Sequence, residues 1–578
     1  MSLFLKQNKK NKGIYLQLCD SIYDRTLGYG THKVVESLGY VDDLIAQGIA
    51  DPIGYYSEII KERNEETKKK TKADIIRENC LDEPLKNLGH FLVKGINDGL
   101  GVKQLIDFIG KTSGHSYSLY DVLSSLVYAR IVDPCSKRKT FEEVLPSLFD
   151  YKDITLDHIY DSLVTLGQAY QPIIDIYNKN IEEKWGRNTK HAYFDCTNFY
   201  FEIDCEDDFR RKGPSKENRH DPIVGMGLLL DADNVPIGMK MFPGNQSEKP
   251  IIREVIKELK ERGKVNSKII RVADKGLNCA ENIHSTASDH DGYIFSKSVK
   301  QLPQIEKTWI LLDQDYKVVR NKDGSIKYKY KEWVDKFPYS FKDKNGKTFS
   351  FEIYEKRVVT FNPKLAEKKR AEILKMVEHV VNLSARSAKR CEYGDAVKYT
   401  NFFSTDENGN ITNGKVVSQI NEDAVKQDLE LAGYNLLVTS EANLPAVEIY
   451  DAYHNLWRIE ETFRLMKSQL AARPVYLQKK ESIIGHFLVC YVAVLLTRLL
   501  QFKLFKNQYS TETIVDFMRK FQLVKISKHA YFAYHLINDF GADLHDKYKL
   551  SVRNGYYTTE QVKSILSNKI VPRYTTRN

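Results

Sequence analysis

An α/β fold, interrupted by a β-rich segment and preceded by a mostly helical region, is the class this chain predicts. Three observations carry it. Apolar residues recur at helical spacing between 85 and 185. Strand-like runs and a helix follow from His191 to Arg262. Hairpin signals crowd 300–430 before the strand-then-helix pattern resumes.

The chain has 578 residues, 42% of them hydrophobic, which is enough for several cores and roughly two to four domains. A balance of 87 Lys plus Arg against 77 Asp plus Glu leaves +10, which favours a polyanionic partner without proving one. Eight scattered cysteines form no C-x-x-C pair and no zinc-spaced cluster, an expectation of a reducing cytoplasm. Met1–Lys12 lacks a signal-peptide core. The one long apolar run, Ile483–Leu500, contains His486 and Arg498 and reads as a buried helix rather than a membrane span.

Residues 1–60 form a small β-containing element, with short strands expected from Ile14 to Tyr40 around the Gly28-Tyr29-Gly30 turn. The charge run from Lys61 to Lys72 reads as a solvated helix face or linker. In the helical region 61–185, Leu119, Leu123, Leu126 and Val127 share a periodicity opened by Ser118, with Asp121 three places on. Its Ser136-Lys137-Arg138-Lys139-Thr140 turn has the cations and hydroxyls that hold phosphates, although functionless surface lysines look the same.

Across 186–299, strands are predicted over His191–Phe201, Ile223–Leu230, Val235–Phe242, Lys268–Ala273 and Gly292–Ser296, with a helix over Ile251–Arg262. Residues 300–430 read as an inserted β-rich domain, from the turns Asp323-Gly324, Asn345-Gly346 and Asn408-Gly409 and the alternation Thr348–Ile353. The α/β pattern resumes over 431–510 with the strand Tyr434–Thr439 and a long helix entered near Pro445. The tail, 511–578, is predicted helical around Thr513–Val524, with a capping box at Thr558–Gln561.

The chemistry lies in the carboxylates. Asp195 sits in the apolar run Tyr193-Phe194-Asp195, where a charge must be paired, hydrated or bound to a cation, and Asp274 repeats the arrangement after Ile269–Ala273. Either aspartate alone reads first as a helix cap or turn. On the helix after the insertion, Leu456, Ile459, Phe463, Met466 and Leu470 make a core stripe. Beside it run Tyr453, Trp457, Glu460, Arg464 and Lys467. This stripe is either a helix stabilised by a Glu460–Arg464 pair or a device for holding a phosphodiester, with Glu460 on metal, Arg464 and Lys467 on phosphate, and the aromatics on sugar or base. Lys216, Arg219 and His220, in a loop between strands, are further candidates for DNA contact.

On these residues the sequence resembles bacterial insertion-sequence transposases of the DDE class, the superfamily with a Y-x2-R-x3-E-x6-K signature. Tyr453, Glu460 and Lys467 match it at the right spacing, and Asp195 and Asp274 match the family's two aspartates. Leu456 stands where the signature has arginine, and Arg464 is the stand-in. Pro243–Glu248, Arg473–Tyr476 and Gly485-His486-Phe487 are also similar to one branch.

The resemblance implies a ribonuclease-H-like catalytic domain interrupted by the insertion and preceded by a DNA-binding region. It implies Asp195, Asp274 and Glu460 holding two Mg²⁺ ions, with Mn²⁺ as a substitute, about 3.5–4 Å apart. It also implies terminal inverted repeats and target DNA as partners, and a homodimer that joins two ends. Tyr453, Arg464 and Lys467 would position the end phosphate. In the insertion, Trp309 and Trp333 read as core residues or as a stacking platform for an extruded base. Two competing readings are a nuclease without strand transfer and a catalytically silent DNA-binding protein. An aspartate-nucleophile phosphatase is set aside because Thr197 stands where that chemistry expects a second aspartate.

Overall fold

A computed structural model of the chain describes residues 3–24, 29–69, 84–217, 219–263, 268–343, 345–385, 390–405, 415–527, 529–534, 539–550 and 552–572. It divides into two compact units: Met1–Leu85 with Leu523–Tyr534 and Asn554–Glu560, and the remainder.

In the first unit, β1 (Leu3–Lys10), β2 (Gly13–Asp24) and β3 (Tyr29–Tyr40) form an antiparallel sheet, with helices Val41–Ala46 and Pro52–Lys69 after it. The strands β2 and β3 are longer than the short ones expected. Gly28 of the proposed turn lies outside the described residues, as does Lys70 of the charge run.

The second unit opens with the two-residue strand β4 (Lys86–Asn87) and a set of helices. Ser118 caps Leu119–Val132 as expected, its side chain accepting from the Asp121 amide. The helix Lys480–Arg498 is long and apolar enough to cross a membrane, but every residue from Ser482 to Arg498 is buried inside this unit, as the buried-helix reading requires. It crosses Leu156–Gln168 with backbones almost touching. A Cβ on Gly167 would lie 1.8 Å from the Glu481 carbonyl oxygen, and one on Gly485 would lie 2.0 Å from that of Leu163.

The core is a nine-stranded sheet. Its strands are β5 (His191–Tyr200), β6 (Ile223–Leu230), β7 (Pro236–Pro243), β8 (Ile270–Ala273), β9 (Gly292–Lys297), β10 (Lys317–Arg320), β11 (Ile326–Lys342), β12 (Thr348–Phe361) and β15 (Tyr434–Thr439). Their order is β10-β11-β12-β15-β9-β8-β5-β6-β7. β5, β6 and β7 are antiparallel, whereas β8 and β9 run parallel to β5. All eight residues of β6 are buried, as expected for a strand covered on both faces. The helix Ile251–Glu261 lays Ile251, Ile252, Val255, Ile256 and Leu259 on the core containing Phe194 and Leu229.

The insertion differs from a separate β-rich domain. Its hairpins turn at Gly324 and Gly346, both at positive φ, as the Asp-Gly and Asn-Gly signals predict. The hairpin β11–β12 is long enough, however, that β12 pairs with β15 through Lys356–Phe361 and extends the central sheet. The rest of the described segment folds beside the sheet: the helix Gln304–Leu311 before the hairpin and, after it, the helix Pro363–Ala385, the pair β13 (Thr400–Thr405) and β14 (Lys415–Ile420), and the helix Glu422–Glu430. Asn408-Gly409 lies outside the described residues. Trp309 and Trp333 meet edge to face at 4.3 Å and pack against the sheet core.

Near the C-terminus, the helix Thr511–Lys520 ends before the expected Val524. Gln522–Ser527 is instead a strand, β16, which pairs antiparallel with β17 (Ala530–Ala533), and β17 pairs with β18 (Tyr556–Thr558). The helix Thr559–Ser567 follows where the capping box was expected. The tail is thus shared between the two units rather than forming a domain.

Candidate active site

β5 and β8 pair in parallel as His191↔Ile270, Ala192↔Arg271 and Tyr193↔Val272. Two residues beyond the Tyr193↔Val272 pair stand Asp195, midway along β5, and Asp274, just past the end of β8, so the register itself sets the aspartates side by side. The start of β8 is fixed by Arg271, almost fully buried and ion-paired with Asp291 at 2.7 Å.

Burial is the main reason the Asp195 carboxyl is pushed up to about 7. Lys216 and the Cys196 amide oppose the shift, and Asp274 and Glu248 add to it. The Cys196 N–H donates to Asp195 Oδ1 at 2.7 Å, and Gly276 N–H donates to Asp274 Oδ1 at 2.9 Å. Lys216 Nζ lies 3.9 Å from Asp195 Oδ1 and 3.4 Å from Glu248 Oε1, and it donates to the Cys196 carbonyl.

The single helix expected after Pro445 is broken. It runs Ala446–His454, turns at Asn455–Leu456, resumes over Trp457–Arg464 and loosens into a π turn over Leu465–Gln469. The core stripe holds, with Leu456, Ile459, Phe463, Met466 and Leu470 all buried. The second stripe divides. Tyr453 is half-buried, and its hydroxyl is pushed up mainly by burial, with Asp274 and Glu460 adding to the shift, so it lies within electrostatic reach of both carboxylates. Trp457 is exposed beside an open groove of about 550 Å³, lined also by His191, Tyr193 and Asn455.

Glu460 is exposed, and its expected pair with Arg464 is absent. Its neighbour Glu461 takes the ion pairs instead, with Arg458 at 2.9 Å and Arg498 at 3.5 Å. Arg464 points to solvent. Lys467, shifted by the π turn, is half-buried and meets Glu217 at 3.1 Å. Arg473 holds the other oxygen of the same carboxylate.

Leu456, at the signature's arginine position, is a core residue. Arg473, rather than Arg464, is the arginine that shares a partner with Lys467. Sequence reasoning missed the roles of Glu217, Glu248 and Arg473. The last two lie in the Pro243–Glu248 and Arg473–Tyr476 runs already noted there, and only their contacts single them out.

The remaining candidates scatter. Arg219 stacks over Tyr200 at 3.9 Å and lies 3.6 Å from Asp221; His220 is exposed. Arg138 is exposed and lies 3.6 Å from Glu142. Lys137 departs from the surface role expected of it. Its side chain is buried with Nζ 3.0 Å from His486 Nδ1. Burial, with Arg130 nearby, lowers its amine to about 7.

Among the described residues, no three His, Cys, Asp or Glu side chains gather at metal-ligand spacing. Asp195 and Asp274 are neighbours and Glu460 stands apart from them. The paired aspartates nevertheless have the oxygen donors and the excess negative charge that suit a hard divalent cation.

A family model described as "Transposase DDE domain" matches residues 196–496, just over half of the chain, beginning one residue past Asp195 and taking in Asp274, Tyr453, Glu460 and Lys467. The chain belongs to this DDE transposase family. Among solved structures, it is similar to a chain of the "piggyBac transposase synaptic complex with hairpin DNA", at 9% identity over 85% of this chain and 86% of that one, with a TM-score of 0.34. No curated protein matches it.

Proposed function

We propose that this protein is a DNA transposase that cuts at the ends of its element and transfers the freed strands into target DNA. The observation that carries the reading is the β5–β8 register, which delivers Asp195 and Asp274 together in a chain of the DDE family. The order β7-β6-β5-β8-β9, three antiparallel strands followed by two parallel ones, supports a ribonuclease-H-like core.

Asp195 and Asp274 would hold divalent metal, Mg²⁺ or Mn²⁺ and two ions in the full site, with Glu460 as the third ligand. Bound there, the metal supplies an activated water or 3′-hydroxyl and stabilises the leaving oxygen. The chain's own residues do the rest. Tyr453, within electrostatic reach of Asp274 and Glu460, would position the end phosphate, and Lys467 offers its cation to it. Trp457 lines an open groove with His191, Tyr193 and Asn455 on which a base or sugar can rest. Terminal inverted repeats and target DNA would be the partners, and a homodimer would bring two ends together.

The test is strand transfer. Pre-cut element ends with free 3′-hydroxyls, incubated with Mg²⁺ and a plasmid, should become covalently joined to it. Cleavage without any joining would make the protein a nuclease instead.

A further inference from the structure

Two adjacent residues of the loop between β5 and β6 make opposite contacts. Lys216 places its ammonium against Asp195 and Glu248. Glu217 places its carboxylate between Lys467 Nζ, at 3.1 Å, and the Arg473 guanidinium, each cation taking a different oxygen. The turn is held from within, since Ser215 Oγ accepts from the amides of Glu217 and Arg219.

The cations around Glu217 form a built seat. Lys467 lies over the Phe199 ring at 5.3 Å, and Arg473 and Arg219 lie over Tyr200 at 4.8 and 3.9 Å. Burial, together with Arg473 and Lys216, lowers the Lys467 amine against the opposing pull of Glu217, so Lys467 is a cation that benefits from a bound anion. A lysine and an arginine gripping two oxygens of one anion make the contact that a phosphate also accepts. Both aromatic rings lie further along β5 than Asp195, and Lys216, next to Glu217 in the chain, reaches Asp195, so one loop touches both the seat and that aspartate.

We propose that Glu217 occupies, in the DNA-free chain, the seat of a DNA backbone phosphate on Lys467 and Arg473. Arg473 is then a phosphate-binding residue, and Glu217 is an internal competitor that DNA must displace. Lys216, one position earlier, places its positive charge on Asp195 and Glu248. The inference rests on the reading of the chain as a DNA-cutting enzyme.

The test is binding of a short duplex to the full chain in EDTA, across a salt series, for wild type, Glu217→Gln, Glu217→Ala, Arg473→Gln and the double variant Glu217→Gln/Arg473→Gln. Both Glu217 variants should bind several-fold more tightly than wild type. Their log affinity should fall more steeply with log salt by about one unit, the mark of one more phosphate contact. Arg473→Gln should cancel the gain. Equal or weaker binding by both Glu217 variants, or a gain that survives loss of Arg473, overturns the proposal while leaving the transposase reading intact if wild type still cuts DNA. A gain for inorganic phosphate but not for the duplex also overturns it, because the seat then lies off the DNA path. If neither wild type nor variant binds DNA, both readings fall together.

Discussion

Arg498, fully buried in the long apolar helix, lies 3.5 Å from Glu461, the residue beside Glu460. It also donates to the Thr462 hydroxyl at 2.9 Å, so one guanidinium fixes two consecutive residues of the short helix that carries Glu460. Glu461 keeps Arg458 when Arg498 is removed, so the loss is that of the buried hydrogen bonds Arg498 makes to Thr462, Gln501 and Thr511, about 1–3 kcal/mol. Arg498→Met should therefore lower the stability of the chain by that order in urea unfolding. A single variant as stable as wild type would remove Arg498 from the support of this helix.

The crossing of the two central helices depends on glycine. Because a Cβ on Gly485 would lie 2.0 Å from the Leu163 carbonyl oxygen, the backbones must separate to admit it. Gly485→Ala should cost more than about 2 kcal/mol, within the range of overpacked cores. Gly555→Ala, where a Cβ meets nothing within 4 Å, should stay within about 0.5 kcal/mol of wild type. Thermal melts of the two variants make the comparison.

Lys137 sets a pH dependence whose sign follows from linkage. Its amine falls from 10.5 to about 7 in the folded chain, mainly through burial, so the unfolded chain binds more protons between these values. Stability is then lost as pH falls from about 10.5 to 7, by at most about 1.4 kcal/mol per pH unit. His486, lowered well below 6.5 by burial and by Lys137, extends the loss to lower pH. Lys137→Met should be more stable than wild type near pH 7, and the difference should close towards pH 10.5. Parallel stability curves for the two proteins would contradict this account.

The legible part of the sequence was the part governed by local pattern. Asp195 within one apolar strand and Asp274 just after another, the core stripe from Leu456 to Leu470 and the glycine turns of the hairpins each follow from residues a few positions apart, and the fold contains them. What was not legible depended on distant partners. β12 joins the central sheet because its last residues find β15, some eighty positions away. Lys137 turns inward because His486 receives it. Arg473 meets Lys467 through Glu217, which no spacing along the chain announces. The break at Asn455–Leu456 and the π turn after Arg464 redirect side chains that an unbroken helix would have kept on one stripe.

Asp195 and Asp274 act together if the register reading is right. Asp195→Asn and Asp274→Asn should each reduce DNA cleavage by at least about 1,000-fold, as loss of a metal ligand does when the ion supplies several kcal/mol of transition-state stabilisation. Both variants should keep the wild-type circular dichroism spectrum. EDTA should abolish wild-type cleavage, and added Mg²⁺ or Mn²⁺ should restore it. Cleavage that persists in EDTA would contradict a metal role for the pair.

Glu460 joins the two aspartates in cutting DNA, and cleavage of a duplex carrying the element's own ends in Mg²⁺, with Glu460→Gln beside wild type, decides it. The variant should bind these ends as wild type does and leave them uncut. Undiminished cutting by Glu460→Gln would take Glu460 out of the site, and no cutting by either protein would favour a DNA-binding protein that has lost catalysis.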